Sequence, residues 1–285
     1  MKYALFVGCT TLARLPGYEK AARKVADKLG VDLVDMPGSS CCGTTYLETL
    51  DHTTGLAIAD RNIAIAEEMG MEIVTICNGC TEVLTKANKE LIDNPELRGE
   101  VNKILAKAGK YFHGTTSIKH YARMLHDDVG LDVLKGKMEK DLGEIKVGSH
   151  YGCHMMKPSK IMDNGDPENP IILDDLVSTT GAEPIDYLNK LECCAGPIMG
   201  VRENVTWSVG NDKVNEIKKT GDMMITSCPF CYLTYERAQL MDEDGEKLPI
   251  LHLPQLLGLG LGLDTDELGL GHNIIDASGI VEKVI

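Results

Sequence analysis

Basic residues are scarce in this chain: 29 Lys and Arg face 43 Asp and Glu, a formal charge of −14 over 285 residues. That balance argues against a non-specific nucleic-acid binder, which needs clustered Lys and Arg to displace counterions. Long apolar runs are missing too. No stretch approaches the roughly 18 unbroken apolar residues of a membrane span, and the run Ala4 to Val7 is too short for the apolar region of a signal peptide. The Leu- and Gly-rich tail from Leu248 to Leu263 is interrupted by His252, Pro254, Gln255 and repeated glycines, so it reads as buried strand and helix. No G-x-G-x-x-G follows a strand pattern, which removes the usual flavin or nucleotide fingerprint. With 43% hydrophobic and 25% charged residues, the composition excludes a disordered or collagenous chain. The expectation is a cytoplasmic globular protein that contacts neither nucleic acid nor membrane, long enough for one large domain or two smaller ones.

What is present is cysteine, at positions 9, 41, 42, 77, 80, 153, 193, 194, 228 and 231. The first five read C-x31-C-C-x34-C-x2-C and the last five C-x39-C-C-x33-C-x2-C, with equivalents 144 to 152 residues apart. A second repeat agrees: Ile118-Lys119-His120 before Gly130-Leu131-Asp132 is matched by Ile250-Leu251-His252 before Gly262-Leu263-Asp264. The chain is therefore read as an internal duplication, residues 1–140 and 141–285, joined near Lys137 to Glu144.

Each half alternates strand and helix patterns. Strands are expected at Tyr3 to Val7, Val31 to Met36 and Ile73 to Ile76, with helices from Tyr18 to Leu29 and from about Leu47 to Met69. The second half repeats the strands near Ile145 to Ser149, Pro184 to Asp186 and Met223 to Thr226. Strands separated by helices favour a small parallel, Rossmann-like sheet with flanking helices in each half, an α/β fold. Every cysteine element follows a strand, where ligand crevices of such sheets lie. Backbone N–H groups and helix N-termini there favour thiolate over thiol.

In a reducing compartment, clustered cysteines are metal ligands or redox groups more often than disulfides. A four-ligand zinc site would leave Cys9 and Cys153 as spares, a thioredoxin-like dithiol would use only each C-x2-C, and the compact spacing of a conventional four-iron cube is absent.

A cysteine, a Cys-Cys-Gly and a C-x2-C, present twice, resemble the double CCG domain found in the B subunit of heterodisulfide reductase from methanogenic archaea. Gly8-Cys9, Tyr151-Gly152-Cys153-His154 and Leu251-His252-Leu253-Pro254 add to the resemblance. Relatives in fumarate reduction and in glycolate or lactate oxidation share the motif, and several fuse a ferredoxin module ahead of it; the position of Cys9 favours the heterodisulfide reductase type. One departure is Cys193-Cys194-Ala195-Gly196, where the glycine comes one place late.

The resemblance implies two non-cubane [4Fe-4S] clusters, ligated by Cys9, Cys41, Cys42, Cys77 and Cys80 and by Cys153, Cys193, Cys194, Cys228 and Cys231. It implies reduction of the mixed disulfide of coenzyme M and coenzyme B to two thiols, the last step of methanogenesis. The implied partners are two further heterodisulfide reductase subunits, an iron–sulfur C subunit and an FAD-containing, electron-bifurcating A subunit fed by a hydrogenase or formate dehydrogenase. Arg14 and Lys157, shortly after Cys9 and Cys153, are candidate substrate anion-binding residues, and His154 a candidate proton donor. The alternatives for these three are solvated helix residues and a hydrogen bond to a cysteine sulfur. His120 and His252 are expected to be structural.

Overall fold

The computed structural model describes residues 1–242 and 245–284. Strands β1 (Lys2–Phe6), β2 (Asp32–Asp35), β3 (Ile73–Thr75) and β4 (Ile118–His120) form one parallel sheet in the order β2-β1-β3-β4. Strands β5 (Lys146–His150), β6 (Glu183–Ile185), β7 (Met223–Thr226) and β8 (Ile250–His252) form a second in the order β6-β5-β7-β8. The α/β expectation holds, and the tail from Leu248 to Leu263 forms the expected buried strand and helix, β8 and Leu253–Gly260. The first half has one strand more than expected, β4, the repeat of β8, whose three residues are too short for a period-two pattern to show.

The central strands are apolar on both faces, as a sheet covered by helices on both sides requires: Ala4, Leu5 and Phe6 are buried, as are Ile73 and Val74. The expected long helix from Leu47 to Met69 is two, Thr44–Leu50 and His52–Met69. Asp51 breaks it by adopting an extended backbone and accepting a 2.7 Å hydrogen bond from the Thr54 N–H, an N-cap that satisfies one free donor of the second helix. The segment after β4 continues as the short helix Tyr121–Arg123 and a more loosely wound π-helical stretch, Met124–Gly130.

The order 2-1-3-4 reverses between β1 and β3, and the crevice of an open parallel sheet lies at the carboxyl ends of the strands flanking such a reversal. Cys9 follows β1 and Cys77 follows β3; Cys153 and Cys228 stand likewise after β5 and β7.

The two sheets are joined by reciprocal packing. Helix Pro16–Leu29 of the first half lies on helix Leu253–Gly260 of the second, and Tyr121–Gly130 lies on helix Ile172–Ser178. At the first contact the Tyr18 ring stacks on His252 at 3.8 Å, and Tyr232 stacks on His252 at 4.0 Å. The segment Thr265–His272 packs on Pro16–Leu29 as well; Lys20 pairs with Asp266 at 3.2 Å and Lys24 with Glu267 at 3.1 Å. Both His120 and His252 are buried at the junction, as expected for structural roles. The His120 Nδ1 accepts from the Ala122 N–H at 3.1 Å, so its Nε2 carries the proton and donates to the Ser227 carbonyl at 3.0 Å. Among the described residues no helix is long and apolar enough to cross a membrane.

Candidate metal centre where the two halves meet

Each C-x2-C begins a helix. Cys77 and Cys228 occupy the N-cap positions of helices Asn78–Asp93 and Pro229–Met241, and Cys80 and Cys231 sit one turn in, on the same face. The first-turn amide N–H groups of a helix lack intrahelical partners, and a cysteine at such a helix start is favoured as thiolate. Gly8 and Gly152 precede Cys9 and Cys153 with φ of +81° and +73°. A Cβ at Gly8 would stand 3.1 Å from the Cys80 sulfur, and one at Gly152 would stand 2.7 Å from the Asn78 amide nitrogen. Only glycine suits this close approach in that left-handed backbone.

The sulfurs are all free thiols. Cys9 and Cys41 are 3.7 Å apart, Cys42 and Cys80 3.6 Å, and Cys153 and Cys193 3.9 Å. Within each set, Cys41 with Cys42, Cys77 with Cys80, Cys228 with Cys231, Cys231 with Cys194 and Cys194 with Cys193 are also close enough to perturb one another's ionisation. Cys77 and Cys228 perturb each other in the same way across the junction of the halves. Through these contacts and mutual perturbations the sulfurs form one linked series from Cys9 to Cys153, symmetric about Cys77 and Cys228. Separations of this size suit thiolates sharing metal atoms, because metal–sulfur bonds of about 2.3 Å place tetrahedral ligands roughly 3.8 Å apart. Among the described residues, no three His, Cys, Asp or Glu side chains are arranged as ligands of one metal ion. An all-sulfur, extended donor set of five per half fits a multinuclear iron–sulfur group better than a single ion.

Within each set the charge is unevenly held. Cys42 lies far below the ordinary thiol range through its pairing with Cys41, then with Cys80. Cys193 is lowered in the same way by Cys153 and Cys194, and Cys228 by Cys231 and Cys77. Cys41 and Cys153 are pushed up, by their pairing with Cys42 and Cys193 and then by burial.

A cleft of about 400 Å³ lies between the two sets, and eight of the ten cysteines line it; Cys41 and Cys193 sit behind. His154 is on its wall, with Nδ1 3.5 Å from the Glu82 carboxylate of the other half, an ion-pair distance too long for a good hydrogen bond. That carboxylate raises the imidazole above its ordinary pKa, against the effect of burial. Asn78 spans the junction: its Nδ2 donates to the Tyr151 carbonyl at 2.7 Å and its Oδ1 accepts from the Ser227 hydroxyl at 3.1 Å.

Of the other candidates, Arg14 lines a smaller pocket that shares Cys9, Thr10 and Phe230 with the cleft. Lys157 is exposed and is not among the residues lining the cleft. Reading the sequence missed Glu82, Asn78, Asn62, Lys213 and Arg237. Glu82 and Asn78 lie beside the first C-x2-C in Cys-Asn-Gly-Cys-Thr-Glu, and Asn62 and Lys213 are matched by the same 151-residue offset as the cysteines, so alignment of the two halves could have raised them.

Comparison with known proteins agrees with this site. The cysteine-rich CCG domain matches twice, at residues 3–85 and 147–236. The chain is 39% identical to the B subunit of the ferredoxin/F420H2-dependent CoB-CoM heterodisulfide reductase of Methanosarcina acetivorans, covering 99% of this chain and 97% of that protein. It is 32% identical to the 8-methylmenaquinol:fumarate reductase membrane anchor subunit of Wolinella succinogenes, covering 97% of this chain and 98% of that one. A crystal structure of a hypothetical protein from Helicobacter pylori shares the fold, with a TM-score of 0.79 at 17% identity; 97% of this chain aligns to 52% of that one. With two CCG matches and this near full-length similarity, the chain belongs to the CCG-domain family, of the heterodisulfide reductase B-subunit type.

Proposed function

We propose that the chain is the catalytic subunit of a CoB-CoM heterodisulfide reductase, an oxidoreductase that cleaves the mixed disulfide of coenzyme M and coenzyme B. The observation that carries this reading is the pair of five-sulfur sets facing each other across one cleft. Cleaving R–S–S–R′ to RSH and R′SH consumes two electrons and two protons, and two equivalent donor sets offer one to each sulfur. Cys9, Cys41, Cys42, Cys77 and Cys80 would hold one non-cubane [4Fe-4S] cluster, and Cys153, Cys193, Cys194, Cys228 and Cys231 the other. When bound, the two clusters would supply single electrons at the floor of the cleft.

The protein's own groups do the rest. Val83, Pro197 and Phe230 give the cleft an apolar wall, along which a disulfide would lie against the sulfurs. His154, on the cleft wall and near a carboxylate from the other half, would deliver a proton to a departing thiolate. Arg14, exposed but lining a pocket that shares Cys9 with the cleft, would hold an anionic substrate group; Lys157, exposed and lining neither, has less support for that role.

Electrons would come through an iron–sulfur C subunit and an FAD-containing A subunit that bifurcates electrons from a hydrogenase or formate dehydrogenase. The similarity to the B subunit of such a reductase supports partners of that kind. Clustered metal-binding thiols support a cytoplasmic site of action. The similarity to the fumarate reductase subunit favours a second reading, an electron-transfer subunit without disulfide chemistry.

Oxidation of reduced viologen by the CoB-CoM disulfide separates them. Protein prepared without oxygen and carrying about eight irons per chain, as two four-iron clusters require, is expected to turn over. Iron-replete protein that leaves the viologen reduced would overturn the first reading in favour of the second.

A further inference from the structure

Beside the cleft lies a pocket of about 330 Å³ lined by Ala13, Met199, Phe230, Leu233, Arg14 and Arg237, with Cys9, Thr10 and Thr234 at its margin. Its walls come from both halves. Phe230, Leu233, Thr234 and Arg237 are spaced i, i+3, i+4 and i+7 on helix Pro229–Met241, so one helix face supplies an apolar wall ending in a cation. Arg14 ends the short helix that starts at Cys9. Neither guanidinium has a hydrogen bond or ion pair among the described residues; Arg14 is exposed at the rim and Arg237 is half-buried. Two unpaired planar forks at an apolar hollow suit an anion carried on an alkyl chain.

The matching place across the pseudo-two-fold is built otherwise. The counterparts of Phe230, Leu233 and Arg237 are Gly79, Glu82 and Lys86, and Pro158 stands where the first half has Arg14. Lys86 is already paired with Glu48, and Glu82 faces His154. That side has an imidazole and a carboxylate where this one has an apolar wall and two free cations.

We propose that Arg14 and Arg237 clamp the anionic head of one arm of the substrate, an alkyl thiol ending in a phosphate, sulfonate or carboxylate, with its chain along Phe230 and Leu233. An asymmetric disulfide is then bound in one direction, its alkyl arm toward Cys9 and its other sulfur toward Cys153 and His154. This assignment rests on the disulfide-reductase reading for the identity of the arm, while the pocket can be tested without turnover.

Calorimetric titration of the iron-containing chain with n-heptyl phosphate and with n-heptanol reads the pocket. The phosphate is expected to bind at least about tenfold more tightly than the alcohol, as a charge-assisted contact implies. Arg14→Gln and Arg237→Gln should each weaken heptyl phosphate about tenfold or more, with partial recovery in Arg237→Lys and no change in Lys86→Gln. Equal affinity for the alcohol, or unchanged phosphate affinity in both glutamine variants, would overturn the clamp. In the viologen assay both glutamine variants should raise the KM for the heterodisulfide. Turnover with wild-type KM in both would remove the clamp and leave the reductase reading; phosphate binding lost in the variants, in a chain that never turns over, would keep the clamp and remove that reading.

Discussion

Lys213 stands in the second half where Asn62 stands in the first, and each ties down the backbone beside its own Cys-Cys pair. The Asn62 side chain accepts from the Ser40 N–H at 2.8 Å and donates to the Cys41 carbonyl at 3.4 Å. The Lys213 ammonium donates to the Glu192 carbonyl at 2.7 Å and the Lys190 carbonyl at 3.2 Å. It does so fully buried, which lowers its pKa to about 8 while the nearby thiols of Cys231 and Cys194 oppose that shift.

Replacing Lys213 by Ala removes the donor of two part-buried carbonyls, at about 0.5–1.5 kcal/mol for each hydrogen bond lost. The variant should unfold at lower denaturant and retain about four irons, those of the first half, rather than about eight. Asn62→Ala should show the reverse loss. Iron assay with EPR of each variant checks this; full iron in both would remove the supporting role.

Gly152→Ala is expected to weaken the junction itself. It forces an L side chain into a left-handed backbone, about 1–2 kcal/mol, and drives its Cβ onto the Asn78 amide, which holds the Tyr151 carbonyl. A total loss of about 2–4 kcal/mol follows once the displaced buried hydrogen bond is included. Chemical denaturation measures it, with Gly200→Ala, where an added Cβ meets nothing within 4 Å, as the control.

His154→Ala should slow disulfide reduction about a hundredfold, the lower range for removal of a general acid. Glu82→Gln should also slow it, because the charge beside His154 is lost while the imidazole stays. Turnover equal to wild type in His154→Ala across pH 6 to 9 would dismiss the proton-donor assignment.

Asp60 gives the fold a pH dependence of its own. It is buried on helix His52–Met69 with neither carboxylate oxygen hydrogen-bonded among the described residues, and burial, with Glu67 and Glu90 nearby, raises its pKa from 3.8 to about 8. Below the unfolded value both states carry the proton and nothing is lost. Between about 4 and 8 the unfolded chain ionises while the folded one does not, so stability falls as pH rises. Above about 8 the folded carboxyl ionises too and the penalty stops growing. Asp60→Asn should match wild-type Tm at pH 4 and exceed it at pH 8; equal Tm at both would refute the buried acid.

The cysteine order was legible because duplication and metal chemistry both constrain it, and the apolar strand cores were legible because central parallel strands need both faces covered. A three-residue strand such as Ile118–His120 carries too little pattern to declare itself, although its repetition in the tail marked it as paired. The break at Asp51 depends on a local backbone choice that an apolar period running through it conceals. Glu82 beside His154, and Arg237 beside Arg14, are pairs made by the meeting of the halves; no spacing along the chain encodes them.

Helix Pro16–Leu29 on Leu253–Gly260, and Tyr121–Gly130 on Ile172–Ser178, are the same contact made twice, as in an isologous dimer whose protomers have been joined end to end. Two identical protomers would present a substrate with the same wall on either side, and could not tell one end of a molecule from the other. Joining them in one gene freed each wall to change alone. Lysine could replace asparagine under one cysteine pair, and phenylalanine and arginine could face a glycine and a lysine across the axis. Heredity thereby gained a handle on direction that no symmetric ancestor possessed.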